Sequence, residues 1–403
     1  MDNIVDGEKT GKSQNNQSFK TPEQVSAADN QTVISPLLNN PTEQGVESKD
    51  KMPKKKRKFW PPSKFGWIVI VLVLILIGVC IYAYTLIDKP KPKPVVITVH
   101  KAVITTVPST LTGLPVSPAT NQLPITAVMV ENIVAARPQS GLSSAGVVFE
   151  ALAEGGITRF VALFQSNDST SIGPVRSARP YYISWILGFD AAYAHVGGSA
   201  EALSDITAWN VKNMDEFANA SAFDRVSSKV APHNVYTSTA QLNKLETAKG
   251  YTTSHFTSWK RKTAAPLKVP TASTINLSMS SSDYNDSYTY NPTTNDYSRF
   301  NGGAPQIDAN TNQQIKVPDV VAIVVQESRG PLDATNAYYS EYQTVGSGVA
   351  DIFQDGGVTV GQWTKTSNTS QIQFTETNGQ AIALNPGEAW ITAVTSASAV
   401  TYK

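Results

Sequence analysis

Over the first fifty positions apolar residues stand singly among Asn, Gln, Ser, Thr, Glu and Lys, and then the pattern changes. Residues 66–87, GWIVIVLVLILIGVCIYAYTLI, carry no charged side chain. A helix crosses the hydrocarbon core of a bilayer with about 20 apolar residues, so this run predicts one N-terminal transmembrane helix. Farther along, shorter apolar runs are separated by turns. PITAVMVEN, VVFEALAEGG, ITRFVALFQ and AAYAHVGG read as buried strands. Helix signals fall between and after them. Ser177 is a candidate N-cap, with Pro180 in the first turn and Gly188 to close the helix. Ser199 caps SAEALSDITAW, and Ser238 with Gln241 forms a capping box for a helix ending at Gly250. This alternation predicts an α/β or α+β domain over residues 120–262. Beyond 282 the period shortens to two, and DYNDSYTYNPTTNDYSRFNGG, VPDVVAIVVQES, DIFQDGGVTVGQWTK, SQIQFTETNGQAIAL and AWITAVT are broken by Gly-Gly, Asn-Gly and Pro-Gly. A smaller, mainly antiparallel β domain over 283–403 is expected.

Residues 1–50 have too little apolar surface to offset the entropy of ordering and read as a disordered cytoplasmic tail. The juxtamembrane segment 51–65 contains Lys54, Lys55, Lys56, Arg57 and Lys58. By itself this cluster resembles a nuclear localisation signal or a nucleic-acid patch. Directly before an apolar span it marks the cytoplasmic side instead. Trp60, Trp67, Tyr82 and Tyr84 suit the aromatic belts at the two interfaces, and Lys89, Lys91 and Lys93 beyond the span are outnumbered. The expectation is a single-pass protein of the cell membrane with a retained signal anchor, its N-terminus cytoplasmic and its C-terminal domains outside. The alternative is cleavage or lipidation at Cys80 in IGVC, where the bulky Val79 fits a lipoprotein site poorly. Residues 88–119 open with DKPKPKP, a stiff spacer, and form a Pro/Thr-rich linker; the Thr/Ser-rich 263–282 is a second one.

Charge and motifs narrow the function. A net charge of +1 excludes a globally basic nucleic-acid binder, and a single Cys excludes an internal disulfide framework. No G-x-S-x-G, H-E-x-x-H, P-loop or G-x-G-x-x-G is present, and the sequence indicates no cofactor and no metal. What remains is a set of cations and glycines at turns: Arg159, Arg176, Arg179, His195, Gly197, Gly198 and Ser199, joined by Arg225, His233 and Asn234 from FDRVSSKVAPHNVYTS. Helix starts and guanidinium forks both favour anions, so the set predicts one site for an anionic cell-envelope component or a peptide. The competing expectation pairs these arginines with structural carboxylates such as Glu150, Glu154 and Asp190. An enzyme would draw on Glu154, His195 and His233 as acid and base, as an envelope hydrolase; a scaffold for another membrane protein is the third reading. Tyr288, Tyr297, Trp363 and Trp390 read as core or as a ligand platform.

The blocks NIVAARPQSGLSSAGVVFEALAEGGITRFVALFQS, IGPVRSARPYY, AYAHVGGS and APHNVYTS, followed by GQWTK and LNPGEAWI, resemble in order the YerB-like lipoprotein family of bacteria. The resemblance spans about residues 120–400. It implies a two-part domain exposed outside the cytoplasmic membrane and no established activity. The long tail and retained helix depart from the lipoprotein signal common in that family.

Overall fold

The computed structural model describes residues 63–86, 105–165, 169–332 and 336–403. The expected tail, most of the basic segment and the proline-rich start of the spacer lie outside these residues. The chain divides into two compact units, Met1–Ile97 and Thr98–Lys403.

In the first unit, α1 (Lys64–Leu86) buries none of its residues within the unit and is long and apolar enough to cross a membrane. Its β-branched residues favour strands in water. A hydrocarbon environment reverses that preference, because only a helix satisfies every backbone group internally.

The second unit contains sixteen principal strands: β1 (Thr126–Glu131), β2 (Val147–Leu152), β3 (Thr158–Phe164), β4 (Ala192–His195), β5 (Lys212–Asp215), β6 (Thr274–Leu277), β7 (Asp286–Asn291), β8 (Asp296–Asn301), β9 (Asp319–Val324), β10 (Glu327–Leu332), β11 (Tyr338–Tyr342), β12 (Gly346–Gln354), β13 (Gly357–Lys365), β14 (Gln373–Thr375), β15 (Ala389–Val394) and β16 (Val400–Tyr402). Three helices, α2 (Pro180–Leu187), α3 (Ala200–Ala208) and α4 (Thr239–Lys249), complete the α/β portion. Ten strands form one sheet in the order β14-β13-β12-β9-β15-β2-β3-β1-β4-β5. The pairs β9–β15, β15–β2, β1–β4 and β4–β5 are parallel, and the others are antiparallel. The mixed α/β portion and the antiparallel C-terminal strands appear as expected, and β15 joins them by pairing with β9 on one side and β2 on the other.

Both faces of the central strands are covered, which is why β1, β2, β3 and β15 are buried along their whole length and mostly apolar. Side chains alternate between faces along a strand. Phe149 stacks on Trp185 of α2, with centroids 5.3 Å apart, whereas its neighbour Glu150 turns to the opposite face and meets Arg299 of β8. That second face is covered by a smaller sheet containing β8, β7, β6 and β16, with residues 304–305 and 316–317 pairing along β8.

Local signals held where the determining contacts were local. Ser199 accepts a hydrogen bond from the Ala202 N–H, Ser238 does so from Gln241, and Gly250 closes α4 in the left-handed region at φ +74. Other expectations need correction. The cap of α2 is Arg179, not Ser177: the residue before Pro180 is forced into extended backbone, and the helix starts at the proline. Gly188 stays right-handed and is needed because a Cβ there would come within 2.5 Å of Gln371. The expected linker 263–282 contains β6, whose Ile275 and Leu277 are buried in period-two alternation. Within the expected linker 88–119, residues 107–108 pair with 115–116 and bury Leu111 against the body. Tyr288, Tyr297, Trp363 and Trp390 are all core residues.

Candidate functional site

The parallel strands β1 and β4 and the turn after β2 end on the same side of the main sheet, and most of the cations singled out from the sequence gather there. They do not meet in one pocket. Glu154 lies just beyond the end of β2, before a turn at Gly155 and Gly156, both at positive φ, and its partners differ from those of Glu150. The Glu154 carboxylate takes a hydrogen bond from Arg159 and another, at 2.6 Å, from Arg179 Nη2. Arg159 also donates to Ser177 O at 3.0 Å and Arg179 to Ala178 O at 2.6 Å, while the Tyr339 ring lies 4.8 Å from the Arg179 guanidinium. The two arginines are only 3 % and 4 % exposed.

A second carboxylate, Glu131 at the end of β1, lies 3.0 Å from Arg176 Nε and 2.7 Å from His233 Nδ1. Arg225 pairs with Glu216 at 3.0 Å. His195 is fully buried, with Nδ1 2.7 Å from Gly197 O and Nε2 2.9 Å from Asn213 Oδ1. Burial lowers its pKa against the opposing pull of Asp215. Gly198 sits against Ala178 with room for little else, and Asn234 keeps its Oδ1 buried. The α3 start is already served: Ser199 caps it and Glu201 occupies its first turn. Next to it lies a groove of about 410 Å³ bordered by Arg179, Ser199, Glu201, Tyr339 and Glu341. Desolvation, then Glu341 and Asp205, raise the Glu201 pKa, so the open surface of this groove is acidic.

Burial works to raise the pKa of Glu154, but Arg159 and Arg179 outweigh it and hold the carboxyl below its ordinary value. Its stabilising contribution is therefore complete above about pH 4.5 and is lost as pH falls through the depressed folded value. Thermal melts should show a Tm that drops steeply in acid for the native chain and less steeply for Glu154→Gln. At neutral pH that variant should be less stable by about 3 kcal/mol, because two buried guanidinium groups lose their counter-charge. Parallel Tm-versus-pH curves for the two proteins would remove Glu154 from the acid transition.

A cation that the sequence reading passed over has a different environment. The loop after β1 brings Arg137 over Tyr284, whose ring centroid lies 5.4 Å from the guanidinium. Nε donates to Asn132 Oδ1 at 3.1 Å; Nη2 donates to Asn132 O at 3.2 Å and Asp283 O at 2.8 Å. These partners are amide or main-chain oxygens. Among the described residues no carboxylate lies within ion-pair distance of Arg137, and Nη1 has no hydrogen-bond acceptor. Burial pulls its pKa down, although Tyr284, Glu150 and Asp286 act the other way. The guanidinium stays charged all the same.

Arg137 borders a cleft of about 480 Å³ together with Pro138, Gln139, Asn301, Gln306 and Ile307. Gly302 is at φ +63, and a Cβ there would lie 2.9 Å from Arg137 Nη1, so only glycine leaves that nitrogen its place. Gln306 donates to Gln139 Oε1 at 3.3 Å, and Asn301 donates to Asp286 at 2.7 Å while its Oδ1 is buried without a partner. Under the cleft, Arg299 is fully buried between Glu150 and Asp286. The signal for Arg137 was present in the sequence as AARPQSG, an arginine in a turn with no acidic residue beside it. Which arginines would find carboxylates was not readable there.

Comparison with known proteins identifies the lineage. Residues 111–252 match the family described as "Protein of unknown function (DUF3048) N-terminal domain", and residues 275–391 match its "C-terminal domain". The chain belongs to the DUF3048 family. A relative in Bacillus subtilis (strain 168), "Putative lipoprotein YerB", is 31% identical over 288 residues, covering 70% of this chain and 85% of the relative. The crystal structure of YerB protein from Bacillus subtilis superposes with a TM-score of 0.65 at 29% identity, covering 74% of this chain and 99% of that one. The resemblance read from the sequence blocks is thus established, and Arg137, Glu154 and Arg299 lie within the family-matched segments. The α1 helix lies before them.

Proposed function

We propose that this DUF3048 protein is a membrane-associated extracytoplasmic protein that captures an anionic cell-envelope ligand, with Arg137 as the anchoring cation. Membrane association is supported by the apolar α1 helix and by the relative's name as a lipoprotein. The single-pass orientation with the body outside rests on the Lys/Arg cluster at 54–58 directly before the span.

The observation that carries the ligand class is the half-buried Arg137 guanidinium, which borders a cleft also lined by Asp283 and yet, among the described residues, has no carboxylate within ion-pair distance. A partly desolvated charge of this kind gains most from an incoming anion, and a carboxylate can take two of its N–H groups. Pro138, Pro305 and Ile307 offer apolar wall, and Gln139 and Gln306 offer amides, which suits a carboxylate carried on a peptide or glycan chain. Arg159, Arg179, Arg176 and His233 then act as scaffold around Glu154 and Glu131. A hydrolase reading has less support, because Glu154 is held between two arginines and His195 is sealed inside the sheet.

Fluorescence anisotropy with a labelled carboxylate-bearing muropeptide, using the full chain in nanodiscs, tests the proposal. Arg137→Gln should weaken binding about 10- to 100-fold, the equivalent of about 1.5–3 kcal/mol for a charged hydrogen bond. Amidating the carboxylate of the probe should have a similar effect. Equal affinities for the two probes, or for the two proteins, would defeat the assignment.

A further inference from the structure

A second cleft, of about 390 Å³, opens at the other end of the central strands, where Gly146, Pro318 and Glu388 directly precede or lead into β2, β9 and β15. The 107–116 hairpin forms one wall: Gly387 N–H donates to Thr112 O at 2.8 Å, and Leu111 packs so closely on Gly146 that a Cβ there would lie 2.5 Å from its methyl. Leu111, Leu114, Pro115 and Pro318 give the lining an aliphatic side, and Ser143, Gln165 and Lys316 are among its polar groups.

Glu388 lines this cleft and is only 8 % exposed, yet its Oε1 is buried without a hydrogen-bond partner. Among the described residues it has no ion-pair partner either. Several other carboxylates in the body have cationic or main-chain partners. Glu150 and Asp286 share Arg299, and Glu154 has Arg159 and Arg179. Asp308 is fully buried and accepts from Gly141 N at 3.0 Å, Ser143 N at 2.8 Å, Ser143 Oγ at 2.7 Å and Asn310 N at 2.9 Å. Burial raises the Glu388 pKa well above its ordinary value, Asp308 adds to the rise and Arg299 opposes it, so an ammonium arriving beside the carboxyl would favour its ionised form. Arg299 is committed to its own carboxylates, and Lys316 stands exposed on the rim without an ion pair among the described residues. The cleft therefore presents one under-served acidic group beside an aliphatic wall of Leu111, Leu114, Pro115 and Pro318.

We propose that this cleft is a second binding site, distinct from the Arg137 cleft, that takes a primary ammonium group on an aliphatic stem, with Glu388 as its counter-charge. The ligand class is a lysine-like side chain or a comparable amine on a peptide. The ammonium supplies the donors that Glu388 lacks, and the stem replaces water along Leu111, Leu114 and Pro318. The site stands on observations separate from those at Arg137, so either can fail alone.

The test uses the full chain in nanodiscs and two probes, Nα-acetyl-lysine amide and its uncharged counterpart Nα-acetyl-norleucine amide, followed by ligand-detected NMR titration. The lysine probe should bind saturably and at least about tenfold more tightly than the norleucine probe, the ratio of a single charge-assisted contact. Glu388→Gln should abolish that preference while leaving the norleucine probe unchanged. Lys316→Met should keep or sharpen the preference by removing a competing ammonium. Equal binding of the two probes to the native chain, no saturable binding of the lysine probe, or a preference that survives Glu388→Gln overturns the proposal. The comparison of probes on the native chain needs no variant to fold.

Discussion

Arg299→Met should destabilise the folded body by about 3–5 kcal/mol, the cost of leaving buried carboxylates without their cation. Arg299 has no exposure, and its Nη2 lies 2.7 Å from Glu150 and 2.6 Å from Asp286. Nε donates to Gln306 at 2.5 Å, Nη1 donates to the Tyr288 hydroxyl, and the guanidinium sits 4.1 Å from the Trp390 ring. The Trp390 indole N–H in turn donates to Glu150 at 3.0 Å. One side chain thus ties the smaller sheet through β7 and β8 to the main sheet through β2 and β15. Burial already pushes the Glu150 pKa up, with Arg299 the chief opposing influence. The pKa stands at about 8, and removing Arg299 should push it higher still, so the variant should gain stability relative to the native chain as pH falls from above about 8 toward about 4.5, where the unfolded chain's carboxyl protonates as well. Adding Glu150→Gln and Asp286→Asn to Arg299→Met should recover part of the loss. Denaturant titration followed by tryptophan fluorescence measures all three proteins, and a loss below about 1 kcal/mol for the single variant would show that the cluster is not a structural tie.

A chain terminated after Gly387 should fail to form the cooperative body at all. The deletion removes β15, which pairs in parallel with β9 over six residues and with β2 over four, and whose six residues are all buried. Without it the ten-stranded sheet separates into two halves, each exposing a long apolar edge of the kind that promotes aggregation. The α/β half produced alone, residues 105–262, should fail for the same reason. Near-UV circular dichroism and limited proteolysis report the outcome. A sharp thermal transition in either truncated protein would mean that the halves are independent domains.

The elements that could be read in advance have short-range causes. A single apolar run of helical length specifies α1, the Ser199 and Ser238 caps act within one turn, and Gly250 supplies a left-handed residue at a helix end. The strands β1, β2, β3, β9 and β15 were visible as apolar runs. Strand β6 was hidden in a Thr/Ser-rich stretch, because its polar positions alternate with only two buried ones. The Ser177 cap failed because the restraint Pro180 places on Arg179 overrides a capping side chain two residues earlier.

The candidate site divides in the same way. Arginines in turns beside glycines and helix starts were evident, and the main sheet does bring most of them to one end. Their pairing depended on distances in space: Arg179 reaches Glu154 across 25 positions, His233 reaches Glu131 across 102, and Arg299 reaches Glu150 across 149. Among the described residues, the same geometry that neutralised the expected cations left Arg137 and Glu388 without an ion-pair partner. The sequence by itself determined the apolar helix long enough to cross a membrane, most of the strands and helices, most caps and the family resemblance, because each is set by hydrophobic period and backbone preference within a few residues. Only the tertiary structure decided that β15 unites both halves in one sheet, and which charges are paired and which face a cleft. Burial and electrostatic pairing are set by neighbours in space, and those neighbours are remote along the chain.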